Sequence, residues 1–548
     1  MTSELEFFPK ALPVTNLTFT HPAISQKQPQ SLLLSYILSA KLSTGSVLLT
    51  GLLFYIPALV LYRLWFSPLA RFPGPKLAAA TGWYETYYEI VKKGGGQFTF
   101  QIKELHERYG PIVRISPWEL HIHDSEYYDS LYTSSLGLDK SPHIQHRFGT
   151  PSASFSTPEN DLHKIRRNAV LPFFSKRRIH EQAAMIQKNV DLICYRFKTE
   201  YAGTDNVVRM NDMLSSYGTD VIMTYAFNRS RKFLSEPGFS SKFARAIQGL
   251  KDFVHIAQQF PLVGSLSRHV PQWLLAFVGS DLEAIVRFET EISSHVQQVL
   301  EKRASQCNED QKGTIFVEIL NANLPAAEKS FARLKDEGIG IVGAAIETTK
   351  LANMVIIFHI LHNPQILSCL QTELEEVIPD PESPPPLSAL EKAPYLAACI
   401  QEGLRLAYGT TARSQRISRH RPLQYKNWII PQNAMVGMDA YHMHHDETVF
   451  PNSTSFKPDR WLGNPKGPDG VKSLNRYMVA FSRGTRMCAG SNLALAQMTL
   501  LLAALFRNFD MELYETTRRD VDIYRDMVGL EAAPGSKGVR LRVKGCRT

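Results

Sequence analysis

Residues 46 to 62, SVLLTGLLFYIPALVLY, carry no charged side chain, and Arg63 follows before Leu64, Trp65 and Phe66. This run constrains the chain more than any other, because only a bilayer or a protein core can cover it. Extended through its flanks it reaches the ~20 residues a helix needs to cross a hydrocarbon layer of ~30 Å. Pro57 is tolerable in such a helix, and a cleaved signal peptide would lie at the very start and end in a small-residue site. Residues 45–66 are therefore read as a transmembrane anchor. Arg63, Arg71 and Lys76 follow closely, whereas the nearest preceding cation is Lys41, so the positive-inside rule turns the C-terminal body toward the cytosol. Residues 1–44 become a non-cytosolic tail, in which Asn16-Leu17-Thr18 is either a glycan acceptor or an unmodified stretch. A second apolar stretch, residues 31–40, is too short to span and is expected at the membrane interface.

Pro68, Pro73 and Pro75 deny helix continuation after the anchor, so residues 67–80 read as a proline-rich hinge. Beyond it only PDPESPPP at 379–386 interrupts the pattern, and no internal repeat is visible. Residues 81–548 are thus expected as one domain. Hydrophobic residues at 44% and aromatics at 10% exclude a disordered or collagen-like chain. The net charge of +9 suits nucleic acid, an anionic membrane or an acidic partner alike. Cys194, Cys307, Cys369, Cys399, Cys488 and Cys546 form no C-x-x-C pair, which argues against a disulfide scaffold or zinc cluster and for a reducing compartment. Apolar spacings of three and four predict helices over 100–109, 159–199, 242–258, 281–304, 328–362 and 364–377. Strand-like runs are fewer: 112–115, 120–123, 424–430 and 434–439. The fold class is mainly α, a helix-rich α+β.

Among the cysteines, Cys488 stands apart. It lies in FSRGTRMCAG, residues 481–490, immediately before a run of helix formers. A sulfur there faces unpaired N–H groups and the positive helix end, which stabilise a thiolate. Gly484 and Gly490 permit turns and close approach, and Arg486 is placed to meet an anion. The segment resembles the haem-binding signature F-x-x-G-x-R-x-C-x-G of the cytochrome P450 family at every fixed position: Phe481, Gly484, Arg486, Cys488 and Gly490. That resemblance implies one large haem-thiolate domain with small β-sheets, with Cys488 as axial ligand of the iron of haem b and Arg486 on a haem propionate.

Four further segments resemble the same family. Glu402 and Arg405, at i and i+3, match its E-x-x-R pair, and FKPDRW at 456–461 adds Arg460 to a buried charge network. GAAIETT at 343–349 is similar to the oxygen-activation motif, with Ala345 where the family usually has glycine. It implies room for dioxygen, a hydrogen bond from Thr348 and a proton relay through Glu347. In NDLHKIRRNAVLPFFS, His163 and Arg167 stand where the family has W-x-x-x-R on a propionate, with histidine replacing tryptophan. Arg413 or Arg416 holds the other propionate, Arg416 being preferred by position.

The resemblance implies a single-pass endoplasmic-reticulum monooxygenase using O2 and electrons from an NADPH-dependent reductase, since no flavin or nicotinamide fingerprint is present. Lys164, Arg166, Lys176, Arg177 and Arg178 are expected on the face that meets this acidic partner. Substrates are expected to be apolar small molecules that partition into membrane lipid, entering near 249–279 and touched by the loop 137–157. FPGPKLAA, ERYGPIVRISPWELHI and MHHDETVFP are similar to fungal members of the trichodiene oxygenase type. This narrower likeness implies a terpenoid of secondary metabolism, with polyketides and alkaloids as alternatives. A reductase-independent isomerase or dehydratase is disfavoured by the Glu347-Thr348 pair, a haem sensor by the complete motif set, and nucleic acid is not an expected partner.

Overall fold

The computed structural model describes residues 30–239, 251–266, 280–304 and 313–547. Two compact units divide the chain, the first ending at Leu61 and the second beginning at Tyr62. In the first, one helix, α1, runs from Gln30 to Leu61. The stretch from Thr44 to Phe66 has a mean hydropathy of 1.9 and no buried residue, as a membrane span would. The short apolar stretch at 31–40 is not a separate interfacial element; it continues into α1 without a break, because Lys41 is as good a helix former as its neighbours. Asn16 lies outside the described residues.

In the second unit, α2 (Phe98–Tyr109) and α3 (Asn160–Val170) precede α4 (Met210–Phe227). The long helix α5 (Phe331–His362) follows, then α6 (Pro394–Ala407), the short α7 (Ala440–His444) and α8 (Ser491–Asn508). With 32 residues α5 is ~48 Å long and crosses the unit. Its hydropathy would also suit a membrane, but two thirds of its most apolar window is buried, so it is a core helix. Asn363 stops it and caps the next helix, Pro364–Val377, by accepting from the Gln365 and Ile366 N–H groups. The crossing of α5 with α6 needs glycine. A Cβ on Gly403 would meet Ile356 Cγ1 at 2.0 Å, whereas one on Gly218 of α4 would stand in ordinary contact, 3.5 Å from Ile346 Cα.

The expected run 159–199 is broken. Pro172 ends α3 in a 3₁₀ turn, and separate helices Lys176–Glu181 and Ala183–Arg196 follow. Residues 242–250 of the expected helix 242–258 lie outside the described part, and Lys251–Gln259 is helical.

The strands are β1 (Ile112–Arg114), β2 (Glu119–Ile122), β3 (Val207–Arg209), β4 (Arg416–Ile417), β5 (Leu423–Tyr425) and β6 (Trp428–Ile430), followed by β7 (Met435–Gly437), β8 (Phe509–Leu513), β9 (Arg525–Asp526), β10 (Leu530–Glu531) and β11 (Arg540–Cys546). The main sheet runs β1-β2-β7-β4, with β2 parallel to β7 and the other pairs antiparallel. Residues 424–430, expected as one strand, form the hairpin β5–β6. Lys426 turns it at φ +46°, a left-handed position that strand propensity does not reveal. The sheet and the buried sides of α4, α5, α6 and α8 share one hydrophobic core.

Candidate functional site

The loop before α8 is a tight turn. Met487 N donates to Gly484 O at 3.1 Å and Cys488 N to Phe481 O at 2.8 Å. Gly484 has φ +69°, and a Cβ there would meet Tyr132 O at 2.0 Å, so no other residue fits. Phe481 packs its partly buried ring on the core. Cys488 is exposed, yet burial pushes its thiol up, against the N–H groups of Gly490 and Ser491 and the charge of Arg167. A sulfur surrounded by protein and still open on one side faces a cleft. Gly490 shares that opening: a Cβ on it would touch nothing within 4 Å.

A matching gap lies along α5. Val342, Ile346 and Glu347 are buried, whereas Ala344 is exposed and Gly343, Ala345 and Thr348 are half-buried. A Cβ on Gly343 would meet nothing within 4 Å. Thr348 Oγ1 donates to Ala344 O at 2.8 Å, which spends its proton on the helix and leaves the oxygen's lone pairs at the open strip. Glu347 points elsewhere, and its Oε1 accepts from buried Lys350 Nζ at 2.6 Å. The loop 137–157 is stitched to the start of α5: Ser152 N donates to Asp336 and Ser154 to Glu337, both at 2.8 Å. It therefore borders the strip.

Cations gather beside the cysteine loop. Burial is the largest influence on Arg486, Lys140, His163 and Arg416. It lowers Arg486 to about 9, Lys140 well below its ordinary value, His163 to about 2, and Arg416 to a lesser degree. Mutual repulsion with Arg167 adds to this for the first three. Arg486 donates to the carbonyls of Thr157 and Pro158 at 2.6 and 2.7 Å, and Lys140 to Phe155 O at 2.9 Å. Arg486 Nε and His163 Nδ1 are buried without a partner. Five cationic or basic groups with so few carboxylates call for an anion from outside the chain. Cations for two propionate carboxylates, an open slot and a sulfur at a helix N-terminus are what a haem requires, so the residues present fit that group.

Of the two candidate arginines, Arg416 on β4 lies in this cluster, its guanidinium 4.8 Å from the Tyr132 ring. Arg413 lies among Glu85, Glu89 and Glu119 at 2.5, 3.4 and 3.1 Å. Lys140 and Lys350 were not singled out in the sequence. The one available signal for Lys140 was a cation at the edge of a loop rich in Gly, Pro and Ser.

The Glu402 network is buried. Its Oε1 accepts from Arg405 Nη2 at 2.8 Å, Lys457 N at 2.9 Å and Arg460 Nε at 3.0 Å. Oε2 accepts from Arg405 Nε and Trp461 Nε1, both at 2.9 Å. The expected basic face is thinner than the sequence implied. Arg166 forks onto Glu328 and Arg178 bonds Glu318, which leaves the more exposed Lys164, Lys176 and Arg177.

A family model described as Cytochrome P450 matches residues 82–536. Cytochrome P450 monooxygenase orf4 of Eupenicillium brefeldianum is 43% identical, over 89% of this chain and 96% of that protein. Cytochrome P450 monooxygenase sdnE of Sordaria araneosa is 40% identical over 90% and 96%. A tryptophan 6-hydroxylase, fscE of Fusarium equiseti, is 37% identical over 89% and 94%.

Proposed function

The chain belongs to the cytochrome P450 family, and from that premise we propose that it is a membrane-anchored haem-thiolate monooxygenase oxidising an apolar small molecule of fungal secondary metabolism, a terpenoid intermediate. The observation that carries the reading is Cys488, open to a cleft at the N-terminus of α8 beside an unneutralised cation cluster. Cys488 Sγ would ligate the iron, and Arg486, Arg416, Lys140, Arg167 and His163 would hold the two propionates. Bound in this way, haem supplies reductive activation of dioxygen.

The chain's own part is to exclude water, leave room and move protons. Gly343 and Ala344 keep the α5 strip open, and Thr348 Oγ1 offers acceptor lone pairs there. Glu347, held by Lys350 Nζ, is the proton relay. Electrons come from an NADPH-dependent reductase docking on the face that carries Lys164, Lys176 and Arg177. The anchor supports an endoplasmic-reticulum location with residues 67–548 facing the cytosol as one hinge and one haem domain. The terpenoid class is supported by the segments similar to the trichodiene oxygenase type.

Incubation with reductase, NADPH and labelled dioxygen is expected to give product carrying one labelled oxygen. Unlabelled product would contradict monooxygenation. In Thr348→Ala, product per NADPH is expected to fall several-fold while NADPH use continues. Unchanged coupling would remove Thr348 from the relay.

A further inference from the structure

Away from the cysteine loop, four imidazoles crowd together: His106 at the end of α2, His121 on β2, His123 just past it, and His442 in α7. Ring centroids are 5.0 Å apart for His106–His121 and for His121–His442, and 5.3 Å for His123–His442. Asp439, which caps α7, sits among them. His121, Asp439 and His442 are almost wholly buried, and the proposed oxidation uses none of them.

The hydrogen bonds of this cluster can be counted in protons. Gly110 O only accepts, so His106 Nδ1, 2.7 Å away, carries a proton, and Nε2 of the neutral ring is an acceptor. His121 Nδ1, 2.7 Å from that Nε2, must then donate. This leaves His121 Nε2 as a lone pair, 3.1 Å from Asp439 Oδ2, which is also an acceptor when ionised. Three contacts need three positive hydrogens or their equivalent, and two neutral rings supply two. A cation is missing between His121 Nε2 and Asp439.

The missing charge is either a third proton or a metal ion, and a third ligand group stands beside the gap. His442 Nδ1 lies 2.8 and 2.9 Å from the two Asp439 oxygens, and its Nε2 is buried without a partner. One nitrogen of each of His121 and His442 and one oxygen of Asp439 lie within 4.8 Å of one another.

We propose that His121 Nε2, His442 Nδ1 and Asp439 bind a divalent transition metal of the zinc class, at a site separate from Cys488. With the ion on His121 Nε2, the ring donates through Nδ1 to His106, and His106 donates to Gly110 O. Every proton from His121 through His106 to Gly110 is then accounted for, and the His121 tautomer is fixed from outside. Two imidazoles and a carboxylate form a ligand set zinc takes with a fourth position open. Zinc bonds of ~2.0–2.1 Å put tetrahedral ligands roughly 3.3 Å apart, so Asp439 Oδ2, at 2.9 Å from His442 Nδ1 and 3.1 Å from His121 Nε2, moves away from each by a few tenths of an ångström, while the two nitrogens already lie within 4.8 Å of one another. A cleft of about 280 Å³ lined by Lys103, His106, Glu107, Gly110, Pro111 and His123 opens on the His106 and His123 side of the cluster. The ion braces α7, two residues past β7, against β2.

The test measures zinc and iron per chain by mass spectrometry on the full-length haem-loaded protein after dialysis against a weak chelator. About one zinc per chain is expected, falling below a tenth in Asp439→Asn and His442→Gln with iron unchanged. Zinc retained in both variants would overturn the site. So would its absence from the wild type, both as isolated and after incubation with zinc chloride, and a buried imidazolium–carboxylate chain would then be the occupant. Should the variants not fold, zinc-edge X-ray absorption on the wild type decides. A shell of nitrogen and oxygen at ~2.0–2.1 Å is expected, and sulfur at ~2.3 Å would assign the ion to cysteine and end the proposal.

Discussion

Gly484 occupies the most demanding backbone position of the cysteine loop, left-handed and in contact with the Tyr132 carbonyl. Alanine there costs ~1–2 kcal/mol for the conformation alone, and the clash adds to it. Gly484→Ala is expected to lower the unfolding free energy by at least ~2 kcal/mol and to lose haem, measured by denaturant titration and iron per chain. Gly490→Ala, with φ −87° and open space around it, is expected to stay within ~0.5 kcal/mol of wild type. His359 gives a pH test. Burial, with Arg518, His362 and Arg405 nearby, lowers it to about 3, and its ring stacks on Phe456 at 5.0 Å. The unfolded imidazole takes up a proton below about 6.5 and the folded one only below about 3. Stability is therefore full above the upper value and falls on acidification through that window, by about 1 kcal/mol per pH unit. His359→Phe is expected to flatten that acid limb in denaturant titrations from pH 7 to 4. At this scale the sequence was most legible where chemistry requires a particular residue at a particular spacing, as at Phe481, Gly484, Arg486, Cys488 and Gly490. Lys140 and the histidine cluster were not legible, because residues far apart in the chain assemble them, and Lys350, only three residues from Glu347, gave no sign in the sequence of being buried.

Glu402 ties α6 to the segment around Arg460 and Trp461, five donors converging on one carboxylate. Glu402→Gln keeps the shape and removes the charge, which leaves two buried guanidinium groups uncompensated. A loss of ~3–5 kcal/mol is expected, read as a lower denaturant midpoint, and a loss under ~1 kcal/mol would make the network dispensable. Long helices such as α5 and α8 were legible because their periodicity persists over many turns. The run 159–199 was misread as continuous because helix formers flank Pro172 on both sides, and the hairpin β5–β6 because its turn rests on Lys426 in a left-handed conformation. The short strands β3, β8 and β11 have three to seven residues of pattern, and β3 pairs with β11 across more than half of the chain, so nothing local announces them.

For the whole molecule, the sequence puts an anchor at 45–66 and a hinge at 67–80, and the two compact units meet between Leu61 and Tyr62, within the expected anchor. The basic excess finds several uses at once: the cation cluster near Cys488, the cations following the span, and the exposed Lys164, Lys176 and Arg177 of the face proposed for the reductase. Deleting residues 1–66 is expected to move the protein from a carbonate-resistant to a carbonate-extractable membrane fraction, with carbon monoxide binding intact. Resistance to carbonate in the truncated chain would show that the α1 span is not the anchor.

The most direct measurement is the difference spectrum of the reduced, full-length protein under carbon monoxide. The expected result is the red-shifted Soret band of a thiolate-ligated haem in the wild type and its loss in Cys488→Ala. A wild type without that band, or a variant that keeps it, would contradict the assignment of Cys488 as the iron ligand.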